Sequence, residues 1–157
     1  MKKVIVFIVV TVLVLTITPV VIFAKGGPTE KATGYIEYYQ PGYYFDFNAH
    51  AEANGRPVKG EAWNYTPDGG WYRAEVRFAK STNDGFLFAA ELVETNMPGW
   101  GPWVLIKVID GGTPGTEGDM ILGQFLSMSV AINKFNNGIN PAGGPWPVLS
   151  GNLVVHN

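Results

Sequence analysis

The chain has 157 residues, 46% hydrophobic and 15% charged, with no cysteine and a formal net charge of −2. That length suits one domain, and the absence of Cys excludes disulfides, thiol redox chemistry and Cys-type zinc sites. The basic residues form no run or cluster, which argues against a nucleic-acid partner, because phosphate neutralisation supplies most of that affinity.

Residues 1–24, "MKKVIVFIVVTVLVLTITPVVIFA", are a short basic segment followed by an apolar run from Val4 to Ala24, the pattern of an export signal. The run exceeds the usual apolar core of about 7–15 residues and reaches the roughly 20 residues that span a bilayer. A cleaved signal is the preferred reading and an uncleaved anchor the alternative. Either leaves Lys2 and Lys3 inside and the remainder outside the membrane, so the protein is expected to be extracellular or at the cell surface. Contact with the membrane is expected only through residues 1–24, if they are retained. Without Lys2 and Lys3, nine basic side chains face 13 acidic ones. Residues 25–33, "KGGPTEKAT", read as a linker, and residues 34–157 as the domain.

From Gly34 onward, β-branched and aromatic runs alternate with Gly/Pro/Asn/Asp clusters, which predicts an all-β domain of about eight strands, closed as an antiparallel barrel or a curled sandwich. The clearest strand is Tyr43–Ala53. Phe45, Phe47, Ala49, Ala51 and Ala53 fall on one face, and Asp46, Asn48, His50 and Glu52 on the other, so one face is buried and one is wet. The turn at 54–57 sets Ala53 opposite Val58, Glu52 opposite Lys59 and His50 opposite Glu61. The turn "TPDGG" (66–70) then sets Tyr65 opposite Trp71, Trp63 opposite Arg73 and Glu61 opposite Glu75, with opposite charges on the diagonals. Further along, "GFLFAAELVE", "WVLIKVID" and "MILGQFLSMSVAIN" are apolar on nearly both faces. Strands of that kind are covered on both sides, by barrel closure, a second sheet or another copy of the chain.

The segment "VIDGGTPGTEGD" (108–119) places Asp110 and Asp119 at the ends of a Gly-rich loop, with Glu117 between them. Three carboxylates and loop carbonyls are the ligand type calcium takes, but the spacing is not that of an EF-hand. The preferred reading is a wide turn in which the two aspartates accept backbone N–H groups. His50, flanked by Asn48 and Glu52, resembles an acid/base cluster but reads as ordinary wet-face composition. Paired carboxylates drawn from Asp46, Glu52, Glu61 and Glu75 would suit glycoside hydrolysis, but interleaved cations favour simple ion pairing. Five Trp, seven Tyr and nine Phe are the most unusual feature of the composition. Trp63, Trp71, Trp100 and Trp103 near strand ends could form an aromatic platform for a glycan or a small apolar ligand.

Three patches, "FDFNAHAEANGRPVKGEAWNY" (45–65), "VLIKVIDGGTPGTEGDMI" (104–121) and "LSGNLVVHN" (149–157), resemble the post-COAP domain family of small exported bacterial β-domains. Phe45, Phe47, Ala49, Gly60, Tyr65, Asp110, Gly112, Pro114, Gly115, Asp119, Gly151, Asn152 and His156 are among the matching positions. Gly118, an extra residue before Asp119 and the segment "NNGINPAGGPWP" (136–147) depart from the family pattern. The resemblance implies an exported β-fold and no established activity. The resulting expectation is an exported, non-catalytic β-domain with a binding or structural role and no cofactor beyond a calcium candidate at Asp110, Glu117 and Asp119. An aromatic-platform binder comes second and a glycosidase-like hydrolase third. A cavity within the barrel lined by aromatics would favour the binder.

Overall fold

A computed structural model describes residues 30–52, 57–112 and 116–156. The export segment expected over 1–24 lies outside the described residues. The chain forms one closed antiparallel barrel of eight strands, in the order of the sequence. They are β1 (Lys31–Tyr38), β2 (Tyr44–His50), β3 (Lys59–Tyr65), β4 (Trp71–Thr82), β5 (Gly85–Thr95), β6 (Trp103–Ile109), β7 (Met120–Leu126) and β8 (Gly143–His156), with one helix, α1 (Met128–Asn136), between β7 and β8. Closure follows from β1 pairing with both β2 and β8. Lys31–Thr33, expected in the linker, already belong to β1. No helix among the described residues is long and apolar enough to cross a membrane.

The barrel interior is filled as the period-2 pattern of Tyr43–Ala53 requires. Phe45, Phe47, Ala49 and Ala51 are all buried, and the Phe45 and Phe47 rings stack 5.0 Å apart, with Phe47 5.8 Å from Phe88. Space for these rings comes from small residues opposite. A Cβ on Gly34 would lie 2.8 Å from the Phe47 ring, well inside van der Waals contact.

The first hairpin differs from expectation in register. Ala49 pairs with Gly60 and His50 with Lys59, two residues from the predicted alignment. The faces are preserved, because a shift of two keeps each side chain on its side. Gly60 selects this register. At φ 145° its position would drive a Cβ onto the Asn48 carbonyl oxygen, so only a residue without Cβ lets the two backbones approach there. The second hairpin has the expected register, with Tyr65 opposite Trp71, Trp63 opposite Arg73 and Glu61 opposite Glu75.

The apolar outer faces of β5 and β6 are covered from within the same chain. "MILGQFLSMSVAIN", expected as one strand, is β7 followed by α1. Ala131 and Phe135 of α1 pack on Leu87, Ala89, Trp103 and Leu105, with Phe78 and Leu126 at the margin. Phe78 reaches this outer cluster because a bulge between Val76 and Phe78 shifts the alternation of β4. Lys80 closes the helix C-terminus by donating to the carbonyls of Phe135 and Asn136, where the helix dipole favours a cation.

Candidate functional site

Strand direction assigns every loop to one end of the barrel. Loops 51–58, 83–84 and 110–119 share one end. Loops 39–43, 66–70 and 96–102 and the α1 connection share the other. At this second end a cavity of about 360 Å³ opens, lined by Tyr38, Phe45, Asn64, Tyr72, Phe125 and Trp146, with Val104, Ile106 and Ile121 deeper in and Gly123, Gln124, Ala142 and Gly143 along one side. That volume is at the lower end of small-molecule sites, of roughly 300–1,000 Å³.

The cavity follows the weakest seam of the barrel. β7 and β8 share three aligned residue pairs, with the register shifting between Ile121 and Gly123. Gly123 and Gly143 leave the space that the Trp146 ring occupies. A Cβ on Gly143 would lie 2.9 Å from that ring, and one on Gly123 at an ordinary 3.7 Å. Trp146 is flanked by Tyr38 and Tyr39, at ring distances of 6.0 and 5.9 Å. Across the mouth, Phe125 stacks on Trp100 at 4.7 Å, and both meet Tyr72 edge-on.

The polar groups of the cavity are few and uncharged. Asn64 donates through Nδ2 to the Tyr38 hydroxyl (2.8 Å) and to the Tyr44 carbonyl (3.1 Å). Gln124, opposite Leu105 on the outer face of β7, borders the cavity at the seam, where its Oε1 accepts from Lys134 of α1 (2.9 Å) and from the Ala142 amide (3.1 Å). The Tyr72 hydroxyl has no hydrogen-bond partner among the described residues. Burial pushes the Tyr38 hydroxyl up to about 12, against the lowering effect of its Asn64 hydrogen bond. Burial raises Tyr72 well above the usual phenol range. Both phenols therefore keep their protons and can donate. The cavity wall is apolar and aromatic, with a surplus of neutral donors.

The tryptophans expected as a platform divide among three environments. Trp100 packs behind the cavity wall, against Phe125 and Tyr72. Trp103, only 7% exposed, is core under α1, 6.0 Å from Phe78, so it is removed from the platform. Trp63 and Trp71 stand on the outer wall, stacked at 6.2 Å. The cavity residues Tyr38, Tyr72, Phe125, Gln124 and Trp146 were missed, and only the density of aromatics around the turns hinted at them.

Asp110 and Asp119 lie at the opposite end of the barrel from the cavity. Asp110 accepts from the Gly112 amide (2.8 Å) and from the Val155 amide (3.0 Å). Asp119, 2% exposed, accepts from the Gly111 amide (2.8 Å) through Oδ1, while its Oδ2 is buried without a partner. Pairing with β7 ends at Pro147, and these groups serve the edge of β8 beyond it. Val148 donates to the Asp119 carbonyl, and Val155 to the Asp110 side chain. Burial raises the Asp119 carboxyl, with Asp110 adding to the effect and the Gly111 amide opposing it. Glu117 is exposed. Among the described residues, no three His, Cys, Asp or Glu side chains gather as a metal site would need.

His50 does not face Glu61. It pairs with Lys59 and Lys31, and desolvation, then these two cations, lower its pKa. Glu61 and Glu75 are held by Arg73 at 2.9 and 3.9 Å, and Arg77 reaches Glu75 and Glu91. Glu61 and Glu75 thus have cationic neighbours, unlike a glycosidase pair. A lysine hidden in the apolar run of β6 was also missed. Lys107, buried, pairs with Asp84 at 2.6 Å and donates to Asn140 at 3.0 Å, tying the loop after α1 to the outside of β6.

The chain matches no family model, no curated protein and no solved structure.

Proposed function

We propose that this protein is an exported binding module whose barrel mouth holds a small, neutral, largely apolar molecule that accepts hydrogen bonds. The single observation that carries the reading is the aromatic cavity whose inward polar side chains, Tyr38, Asn64 and Tyr72, are all uncharged. An ionised ligand would lose its hydration there without gaining a counter-charge, a costly exchange. A carbonyl compound of aromatic or alicyclic type would bury its rings against Phe45, Phe125 and Trp146 and accept hydrogen bonds from the Tyr72 and Tyr38 hydroxyls. The wall carries no carboxylate, histidine, lysine or serine, so binding rather than catalysis is the role proposed. Export follows from the pattern of residues 1–24, and the likeness to the post-COAP domain family adds to it no activity.

The test is titration of the protein with the neutral fluorophore N-phenyl-1-naphthylamine. Saturable enhancement with one site per chain, lost in Gly123→Leu, is expected. The backbone accepts a Cβ at Gly123 with only the 3.7 Å contact to Trp146, so the leucine fills the cavity rather than breaking the strand. Equal enhancement in the variant would refute the reading.

A further inference from the structure

Outside the barrel, the wall formed by β1–β4 carries a second aromatic array that the cavity does not use. Two adjacent rows of the sheet contain it. In one, Glu37, Tyr44, Tyr65 and Trp71 stand side by side on successive strands. In the next, Tyr35, Asp46, Trp63 and Arg73 do the same. The rings are aligned in pairs. Trp63 and Tyr65 lie 6.4 Å apart with planes 6° from parallel, Trp63 and Trp71 6.2 Å apart at 25°, and Tyr35 and Tyr44 6.0 Å apart at 13°. Tyr35 is 59% exposed and Tyr65 43%, so the array is open to a partner. Large open aromatic surfaces on soluble domains mark interaction sites more often than chance.

The charges around the array identify the partner's chemistry. Arg73 lies 5.7 Å from the centre of the Trp63 ring and is bound to Glu61 and Glu94 at 2.9 and 3.1 Å. Arg73 is therefore neutralised in place, as is Arg77 by Glu75 and Glu91, and the wall has no single-sign field to attract a charged polymer or an anionic membrane. Polar side chains nonetheless alternate with the rings, Asp46 between Tyr35 and Trp63, and Glu37 beside Tyr44. That alternation suits a ligand with apolar faces and hydroxyl edges. The ring pairs join the two rows at 6.0 to 6.4 Å, so the rings form a two-row apolar strip long enough to meet several sugar rings of an extended glycan.

From this geometry we infer that the β1–β4 wall is a binding platform for neutral polysaccharide, with Trp63, Tyr65 and Trp71 as its stacking surface and Tyr35 and Tyr44 extending it. The inference is independent of the cavity, which opens inside the barrel on the other side of the same strands.

The test uses the full chain in affinity electrophoresis and pull-down against cellulose, chitin, xylan, mannan and starch, with heparin and phosphatidylglycerol vesicles as charged comparators. Retention by at least one neutral glycan, unchanged between low and high salt, is expected. Trp71→Ala and Tyr65→Ala are each expected to weaken it by about tenfold, as loss of a central aromatic contact does. Tyr65→Phe keeps the ring and is expected to bind as the parent does. Melting curves of the variants separate a lost contact from a lost fold, and Tyr35→Ala, at the exposed margin, gives a second variant that leaves the barrel intact. Retention by none of the five glycans, retention only by heparin or vesicles, or undiminished glycan binding in all three alanine variants would overturn the inference.

Discussion

Phe135→Ala measures how firmly α1 is docked on the barrel, which is what makes β5 and β6 apolar on both faces. Phe135 is 9% exposed, and its ring lies 5.6 Å from Phe78 within the outer cluster of Leu87, Ala89, Trp103 and Leu105. Truncating a buried Phe costs about 3–5 kcal/mol. The Lys80 ammonium, 4.6 Å from the ring centre, adds a cation–π contribution of about 0.5–1 kcal/mol. The site is at the margin of the structure and can partly collapse, so the expected loss is near the lower bound, about 3 kcal/mol. For a chain of this size that lowers the melting temperature by roughly 10 °C. Urea unfolding with parallel melting curves is the assay, with the 42% exposed Val130 of the same helix, changed to Ala, as the control. A loss below about 1 kcal/mol for Phe135→Ala would refute the packing argument.

Four further outcomes are expected. Tyr72→Phe leaves melting unchanged, because the hydroxyl has no protein partner, and weakens binding of a carbonyl ligand by about tenfold, as expected when a donor to the ligand is removed; equal affinity in titration would place the ligand elsewhere. Asp119→Ala costs about 1–2 kcal/mol through the orphaned Gly111 amide, whereas Asp119→Asn retains that acceptor, removes a buried charge beside Asp110 and is at least as stable as the parent at neutral pH; millimolar calcium leaves all three melting temperatures unmoved, and a calcium-dependent rise abolished in Asp119→Ala would make the loop a metal site. Asp84→Ala leaves the buried Lys107 ammonium with Asn140 alone; because Asp84 is itself well exposed, the expected cost is about 1–2 kcal/mol rather than that of a fully buried pair, read in urea unfolding. Stability falls as pH drops below the carboxylate range: the Arg73 hydrogen bond lowers Glu61, and the Lys107 hydrogen bond lowers Asp84, so each contributes stability above its unfolded pKa that is lost as pH falls through its folded pKa. The raised Asp119 acts in the opposite sense, so the Asp119→Asn variant is expected to lose stability more steeply on acidification than the parent.

Where one face of a strand was wet, the sequence revealed the structure well. The alternation at Tyr43–Ala53 set which side of β2 lines the barrel, and the five-residue turn at 66–70 set the register of β3 against β4. The first hairpin slid by two residues because alternation is blind to even shifts. What selects the register there is the close approach at Gly60, which no pattern of polarity encodes. The helix escaped notice for a related reason. In "MILGQFLSMSVAIN" both faces of β7 and the buried stripe of α1 are apolar, so period 2 and period 3.6 overlap over a short run. The cavity was the least legible feature. Its lining comes from the ends of β1 to β4 and from β6, β7 and β8, joined only when the barrel closes. Tryptophans chosen for their position near turns went behind the cavity wall, to the core under α1 and to the outer wall alike, because proximity to a turn does not say which side of the sheet a ring faces.

The claim that the barrel mouth takes a neutral hydrogen-bond acceptor is tested most directly with two ligands on the same ring system, one neutral and one charged. Melting curves of the parent protein and of Gly123→Leu are recorded with 2-naphthaldehyde and with 2-naphthoate, each in large excess. The account predicts a rise for the parent with the aldehyde, reaching about 2.7 kcal/mol of stabilisation at a hundredfold excess over the dissociation constant, little with the carboxylate, and none with either in Gly123→Leu. A rise with the carboxylate equal to that with the aldehyde, or one that persists in Gly123→Leu, would contradict it.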